Sequence, residues 1–347
     1  MAGSQYVTST TNDSEFLIEM NRLSTLHYLK SSSYKRVVDA IFSGRSIVSS
    51  LDDIPFLPVT LFKDFKLKSI ADDDVYKVLL SSGTQGKQSM IFLSRENSRN
   101  QSQALHQLFK DKFGSSRNPM IIFDTKSQIT SKQSANARKA AVIGFSAFAS
   151  QRFFVLNEDL TLNWDYLEEL SEKYIDEPVL FFGFTYLIWK TLSDQGKKGR
   201  SLKFSQGKLL HGGGWKKLEN LGLTNNQFKA TVYEVLGIQE VCNYYGMAEQ
   251  AGSIHFECSA EYFHTTSFGG IIVRDMVTLE VLEPRQQGIL QVLSTLPISY
   301  PGHSILTQDI GTLHGMNDCV CGQTGRYFTI DGRLPRSEVR GCSDVIT

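Results

Sequence analysis

An excess of charge of either sign is missing from this sequence: Lys+Arg and Asp+Glu both number 36, for a formal net charge of zero. A balanced chain raises no global field, so recruitment of nucleic acid or of an anionic membrane is not expected. Cysteine is sparse, with five in 347 residues. Residues 1–13 are polar and contain no basic stretch running into an apolar one, so nothing there reads as a leader. Together these absences argue against a disulfide frame and leave thiols or metal ligands as the roles for cysteine. Long apolar runs are missing too, since the longest, 140–149 and 178–189, fall short of the roughly 20 residues that cross a bilayer. The expectation is a soluble, cytoplasmic protein with no membrane span and no nucleic-acid partner. Several catalytic signatures are equally absent. There is no H-E-x-x-H, and Gly144-Phe145-Ser146 lacks the closing glycine of a serine nucleophile elbow. Where a dinucleotide fingerprint needs a further glycine after Gly214, Lys217 stands instead.

What is present is a chain long enough to bury a large core, in one large domain or two smaller ones. Phe16, Leu17, Met20, Leu23, Leu26 and Leu29 recur at helical spacing, and a second helix runs through Tyr34, Val37, Val38 and Ile41 towards Gly44. These predict a helical cap over 1–50. Pro55 and Pro58 then force an extended path into a short helix. From Pro119 strands and helices alternate: a strand at 120–123, an Ala-rich helix through 135–149, strands at 152–156 and 179–184, and a helix over 164–173 between them. Such alternation predicts α/β layers around a largely parallel sheet, here over 51–264. Beyond 265 the pattern changes to short strands and turns, predicting a smaller β-rich subdomain to about 330, followed by a hinge-like segment and tail over 331–347.

The densest chemistry lies in Leu80-Ser81-Ser82-Gly83-Thr84-Gln85-Gly86-Lys87-Gln88-Ser89, between two apolar runs of strand character. A Walker loop needs four residues between its glycines and opens a helix; here only Thr84 and Gln85 separate Gly83 from Gly86. The alternative is a hairpin loop whose backbone N–H groups, hydroxyls and lysine wrap a triphosphate. A plain glycine-rich surface turn is the bland reading. Further along stand His211-Gly212-Gly213-Gly214 at a strand's carboxyl end, Asn243-Tyr244-Tyr245-Gly246-Met247-Ala248-Glu249, Leu306-Thr307-Gln308-Asp309, and the run from Gly332-Arg333 to Arg340-Gly341.

In order and spacing these segments resemble the acyl-adenylate-forming superfamily of acyl-CoA synthetases, luciferases and peptide-synthetase adenylation domains. Pro58-Val59-Thr60-Leu61-Phe62-Lys63, Tyr300-Pro301-Gly302-His303-Ser304-Ile305 and Arg340-Gly341-Cys342-Ser343 look most like its acyl-protein synthetases of the LuxE type. The resemblance implies the large α/β domain of that superfamily, ATP and Mg²⁺ as cofactors, and roles for named residues. Ser81, Ser82, Gly83, Thr84, Gly86 and Lys87 would hold the β- and γ-phosphates. Gly212, Gly213 and Gly214 would let the backbone approach adenine, with Tyr245 or Tyr244, ahead of Gly246, stacked on the purine. Glu249 would hold Mg²⁺, Asp309 the ribose hydroxyls, and Arg333 the ribose or the α-phosphate. Each has a bland counterpart in core packing, helix capping or surface ion pairing.

The resemblance further implies that a carboxylic acid attacks the α-phosphorus of ATP, giving acyl-AMP and pyrophosphate, with Lys87, Glu249 and Arg333 in catalytic roles. The acyl group would then pass to a thiol: Cys342, a carrier protein, an acyl-reductase partner or coenzyme A. Relatives carry a mobile C-terminal lid beyond the glycine-arginine hinge, whereas six residues follow Gly341 here, implying that the lid is absent or dispensed with. Phe181, Phe182, Phe184, Tyr186 and Trp189 stand where the acyl pocket would begin, or are simply core. The competing readings are a degenerate adenylate-forming fold that binds nucleotide or protein without turnover, and a phosphoryl-transfer enzyme using the same loop.

Apart from that resemblance, His255-Phe256-Glu257-Cys258 and Cys319-Val320-Cys321-Gly322 supply three thiols and an imidazole. That is the ligand set of a closed tetrahedral site, so His255, Cys258, Cys319 and Cys321 are expected to bind a structural Zn²⁺. The bland reading is buried free thiols and a core histidine.

Overall fold

A strand buried on both faces must be covered on both, and two groups of strands here are of that kind. In the computed structural model, which describes residues 13–81, 88–130, 137–213 and 222–334, they organise two compact units. Described residues within 13–112 and 246–334 form the first unit, and those within 113–245 the second.

The first unit is built on an antiparallel sheet of order β10-β14-β13-β12-β11, where the strands are β10 (Phe263–His264), β11 (Gly269–Arg274), β12 (Gln287–Ser294), β13 (Ser304–Met316) and β14 (Arg326–Arg333). A sixth strand, β1 (Leu57–Pro58), lies parallel to β13, with Leu57 opposite Ile305. Every residue of β11 is buried. Its covering is the N-terminal helix α1 (Asp13–Lys30), whose Phe16 and Met20 pack with Leu51, Ile54, Ile272 and Leu293. Ser31 caps α2 (Ser32–Ile41) by accepting from the Tyr34 N–H. Beyond β1 a single-turn helix, α3 (Leu61–Asp64), presents Lys63. The loop of the phosphate-type motif springs from an antiparallel hairpin of β2 (Lys77–Leu80) and β3 (Met90–Leu93), with Leu80 opposite Met90. Helix α4 (Arg95–Phe113) follows; its buried face includes Leu108 and Phe109 and also the polar Asn97 and Gln101. The Asn97 side chain accepts from the backbone N–H groups of Ile298 and Ser299 and donates to Leu296 O, pinning that turn.

The second unit carries parallel strands in the order β5-β4-β6-β7-β8: β4 (Met120–Phe123), β5 (Arg152–Phe154), β6 (Val179–Phe184), β7 (Gly207–Gly212) and β8 (Glu240–Gly246). Crossovers supply α5 (Ser127–Thr130), α6 (Ala137–Ser146), α7 (Trp164–Lys173), α8 (Thr185–Lys197) and α9 (Asn225–Leu236). β4 and β6 are buried throughout, as strands covered by helices on both faces must be. Helix α9 opens on a complete capping box, Thr224 with Gln227, and stops at Gly237 in the left-handed region. Strand order reverses between β4 and β6, so their carboxyl ends flank a topological switch point, where open α/β sheets gather ligands.

The expected division at 51 and 264 differs from this partition. Residues 57–58 pair with β13, and the β2–β3 hairpin and most of α4 also belong with the C-terminal sheet. Sheet pairing is a long-range choice that composition along the chain does not record. Among the described residues no helix is long and apolar enough to cross a membrane.

Candidate functional site

The first unit holds the acidic and basic groups. Asp309 and Arg333 are register partners on β13 and β14, and Arg333 Nε donates to Asp309 Oδ1 at 2.6 Å. Thr307 steadies the carboxylate's backbone by accepting from the Asp309 N–H at 3.0 Å while donating to Leu290 O. Glu249 sits in a single 3₁₀ turn, Ala248–Gln250, and is buried. Burial pushes its carboxyl above the usual glutamate value, against the opposing pull of the Ser89 hydroxyl and the positive charges of Lys63 and Arg333. The turn is held from behind. Gln250 Nε2 donates to Val292 O and Gly302 O, and a Cβ at Gly302 would stand 2.6 Å from Glu249 O and 2.3 Å from the Tyr300 ring. Tyr300 is fully buried, with Gln101 at its hydroxyl, so only glycine fits at 302.

Ser81 spends its polar groups on the hairpin base: its Oγ accepts from the Ser89 N–H at 2.9 Å, and its N–H donates to Ser89 O. Its hydroxyl oxygen closes the strand pair that launches the loop, and its own O–H remains to donate. Ser82, Gly83, Thr84, Gly86 and Lys87 lie outside the described residues, as do Gly214 and Cys342.

The second unit places the glycines and the tyrosines. β7 ends at Gly212, paired with Tyr244 of β8, and Gly213 follows at φ +93°, a conformation glycine takes freely. A Cβ on Gly212 would stand 2.4 Å from the Tyr244 ring, and one on Gly213 would stand 2.5 Å from Phe184. The glycines therefore admit aromatic rings. Tyr244 joins Phe145 and Phe182 at ring separations of 5.0 and 6.5 Å. Alternation along β8 sends Tyr245 to the opposite face from Tyr244, so of the two expected purine platforms Tyr245 is the one outside this aromatic cluster. His211 is a core residue: its Nδ1 lies 2.9 Å from Thr185 Oγ1, which bonds Gly212 O, and burial pushes it down to about 3.

The five aromatic residues expected at the acyl pocket separate. Phe181 packs edge-on against Phe204 in the core, whereas Phe182 and Phe184 share the face of Tyr244. Trp189 lines an open groove of about 370 Å³ with Gln227 and Thr231 of α9, and Tyr186 is half-buried.

The thiols Cys258, Cys319 and Cys321 converge, but the imidazole among them is His264 and not the expected His255. His255 faces the other way, with its Nδ1 3.0 Å from His264 O and its ring edge-on to Phe328. The chain reverses between β9 (Ile254–Phe256) and β10, and that reversal brings in the second histidine.

Sequence reasoning missed three further features. Lys63 as a neighbour of Glu249 is one, although its segment was singled out. Ser89 beside the same carboxyl is another. The third is the buried pair of Asp124, at the end of β4, with Arg138, joined at 2.9 and 2.5 Å; an aspartate closing an apolar run was its only signal.

These two units form the fold of adenylate-forming ligases. A 2-hydroxyisobutyryl-CoA ligase in complex with its acyl-AMP superposes with a TM-score of 0.71 at 15% identity, over 96% of this chain and 72% of that one. An open conformation of the same ligase with CoA gives 0.72 at 14% identity, over 95% and 77%. The chain belongs to the acyl-protein synthetase family, LuxE, whose model matches residues 6–347, and it is an acyl-adenylate-forming ligase. The long-chain-fatty-acid–luciferin-component ligase of Vibrio harveyi is 23% identical over 339 residues, covering 91% of this chain and 83% of the relative.

Proposed function

We propose that this ligase activates an apolar carboxylic acid, fatty or aryl, with MgATP and passes the acyl group to a thiol. The observation that carries the reading is the buried Glu249 carboxyl, which feels the positive charges of Lys63 and Arg333, with Arg333 bonded to Asp309. An acid made costly to ionise by burial fits a divalent cation, whose charge favours the carboxylate. Glu249 would hold Mg²⁺, which supplies neutralisation of phosphate charge when bound. Asp309 would accept from the ribose hydroxyls. Arg333, fixed by Asp309, would face the ribose or the α-phosphate, and Tyr245 would stack on adenine.

In the first step a substrate carboxylate oxygen bonds the α-phosphorus as the α–β bridging bond breaks, releasing pyrophosphate. No base is needed, because a carboxylate is already a nucleophile at neutral pH; positioning and charge neutralisation carry the rate. In the second a thiolate attacks the acyl carbonyl and AMP leaves. The acceptor thiol is on Cys342, on a carrier or acyl-reductase partner, or on coenzyme A.

Acid-dependent ATP–pyrophosphate exchange over a panel of fatty, aryl and small acids tests the first step; AMP is the expected product, and ADP would overturn it. Labelling with a radioactive acid tests the second. Hydroxylamine-labile label on wild type that persists in Cys342→Ser would exclude the tail as carrier.

A further inference from the structure

We propose that Cys258, His264, Cys319 and Cys321 bind one zinc ion that clips the turn of the β13–β14 hairpin to the neighbouring strand β10. The inference stands apart from the adenylation reading. The three sulfurs come from two tight turns and the imidazole from β10. In the first, between β9 and β10, the Cys258 N–H donates to Tyr262 O, the Glu261 N–H donates to Cys258 O, and Glu261 takes φ 65°. In the second, between β13 and β14, the Gly322 N–H donates to Cys319 O and Gly322 takes φ 78°. Both turns present sulfur to the same point, and all four ligand atoms lie within 4.8 Å of one another. Tetrahedral zinc with bonds of about 2.3 Å to sulfur and about 2.0 Å to nitrogen places its ligand atoms roughly 3.5 to 3.8 Å apart. Cys321 Sγ already stands 3.3 Å from His264 Nε2.

The surroundings suit thiolates and a neutral imidazole. Backbone N–H groups two residues further on, at Ala260 and Gln323, point at Cys258 Sγ and Cys321 Sγ from 3.3 and 3.4 Å. Such donors stabilise charge on sulfur. His264 Nδ1 lies 3.4 Å from Thr324 O, which places the proton on Nδ1 and leaves the Nε2 lone pair turned to the sulfurs. The ring stacks on Tyr327, its register partner on β14. Cys258, Cys319 and Cys321 are free cysteines. These three thiols with the His264 imidazole fill all four tetrahedral positions and leave none for substrate, so the ion's work is structural. Binding releases the thiol protons to solvent and oxidises nothing.

The clip acts where two strands depend on it. β10 has two residues; it pairs with β14 through Phe263 with Phe328 and His264 with Tyr327, and Phe263 also bridges Glu257. β14 runs from the metal turn to Arg333, so the ion would fix one end of the hairpin that carries the Asp309–Arg333 pair at the other.

The test is metal analysis of protein purified without chelator, followed by stripping with a zinc-selective chelator and titration with Co²⁺, all without ATP or acid. The expected result is about one zinc per chain and, with Co²⁺, the visible bands of a tetrahedral thiolate site. His264→Asn should lower the bound metal or its affinity at least about tenfold, and His255→Asn should leave it unchanged. If the His264 variant does not fold, the Co²⁺ titration of stripped wild type decides. Absence of zinc with a featureless Co²⁺ titration, or loss of metal on substituting His255 but not His264, would overturn the site. Stripping should also speed amide exchange at 258–264 and 317–327 and leave 179–184 as it was; unchanged exchange at the two turns would overturn the clip.

Discussion

Arg333 and Asp309 face each other across adjacent strands, with Nε donating to Oδ1 at 2.6 Å and both side chains partly open to solvent. A carboxylate already oriented by a guanidinium is ready to accept from a diol, and the guanidinium is fixed in return. Charge-assisted bonds are worth about 1.5 to 3 kcal/mol where desolvated, or roughly 10- to 150-fold. Asp309→Asn is therefore expected to lower kcat/KM for ATP by at least about tenfold in pyrophosphate exchange. Arg333→Ala should do the same. Melting temperatures should fall as well, because Asp309 is buried, so exchange is to be compared well below the melting point of each variant.

Glu249 gives a pH dependence of defined sign. Its carboxyl is raised above the ordinary 4.5 by burial, so the folded chain holds that proton more tightly than the unfolded one. The stability it contributes is full below 4.5 and is lost as pH rises through the raised value. Glu249→Gln should therefore melt at a higher temperature than wild type at neutral pH, while exchange activity falls at least about tenfold. A lower melting temperature at neutral pH would refute the burial argument.

A second titration lies beneath α1. The rings of His27 and His303 lie tilted against each other with centroids 4.9 Å apart, beside Ser24, Tyr34 and Ser69. Burial pushes His27 down to about 3 and His303 well below its ordinary 6.5, with Arg22 also lowering the first and His27 the second. Below 6.5 the unfolded chain binds protons that the folded one refuses, so stability falls on acidification from there towards 3. His303→Gln keeps a polar group for Ser24 and should flatten the dependence of melting temperature on pH between 6 and 4, measured by calorimetry.

The Gly212–Tyr244 contact predicts a rescue. Gly212→Ala would set a Cβ 2.4 Å from the ring and should destabilise by about 1 to 3 kcal/mol through overpacking. In Tyr244→Ala the same alanine should be nearly neutral. Additive losses in the double-mutant cycle would show that the ring and the glycine are not coupled.

Lys87→Ala is expected to lower pyrophosphate exchange by more than tenfold without changing the melting temperature, since its loop carries the charge that would meet the leaving group. An unchanged rate would remove the lysine from the reaction.

Much of this was legible in the chain. The helix at 164–173 and the strand at 179–184 have the observed bounds, because apolar period and flanking turns specify them locally. The strand character expected on either side of the glycine-rich stretch is met by the antiparallel pairing of β2 with β3. Resemblance in motif order pointed to the family that the chain proved to share. Local pattern could not say that residues 57–58 join β13, that the Tyr244 ring packs against Gly212, or that Ser81 bonds Ser89 at the hairpin base.

The phosphate-type loop, the glycine triplet, Glu249, Asp309 and the sparse, clustered thiols are properties of the sequence by itself, since each is a matter of residue type and spacing. Partnership belongs to the tertiary structure alone. Arg333 meets Asp309, Ser89 meets Glu249 within the field of Lys63, and His264 displaces His255 among the sulfurs, because strand pairing and chain reversal join residues whose distance along the chain carries no record of their proximity.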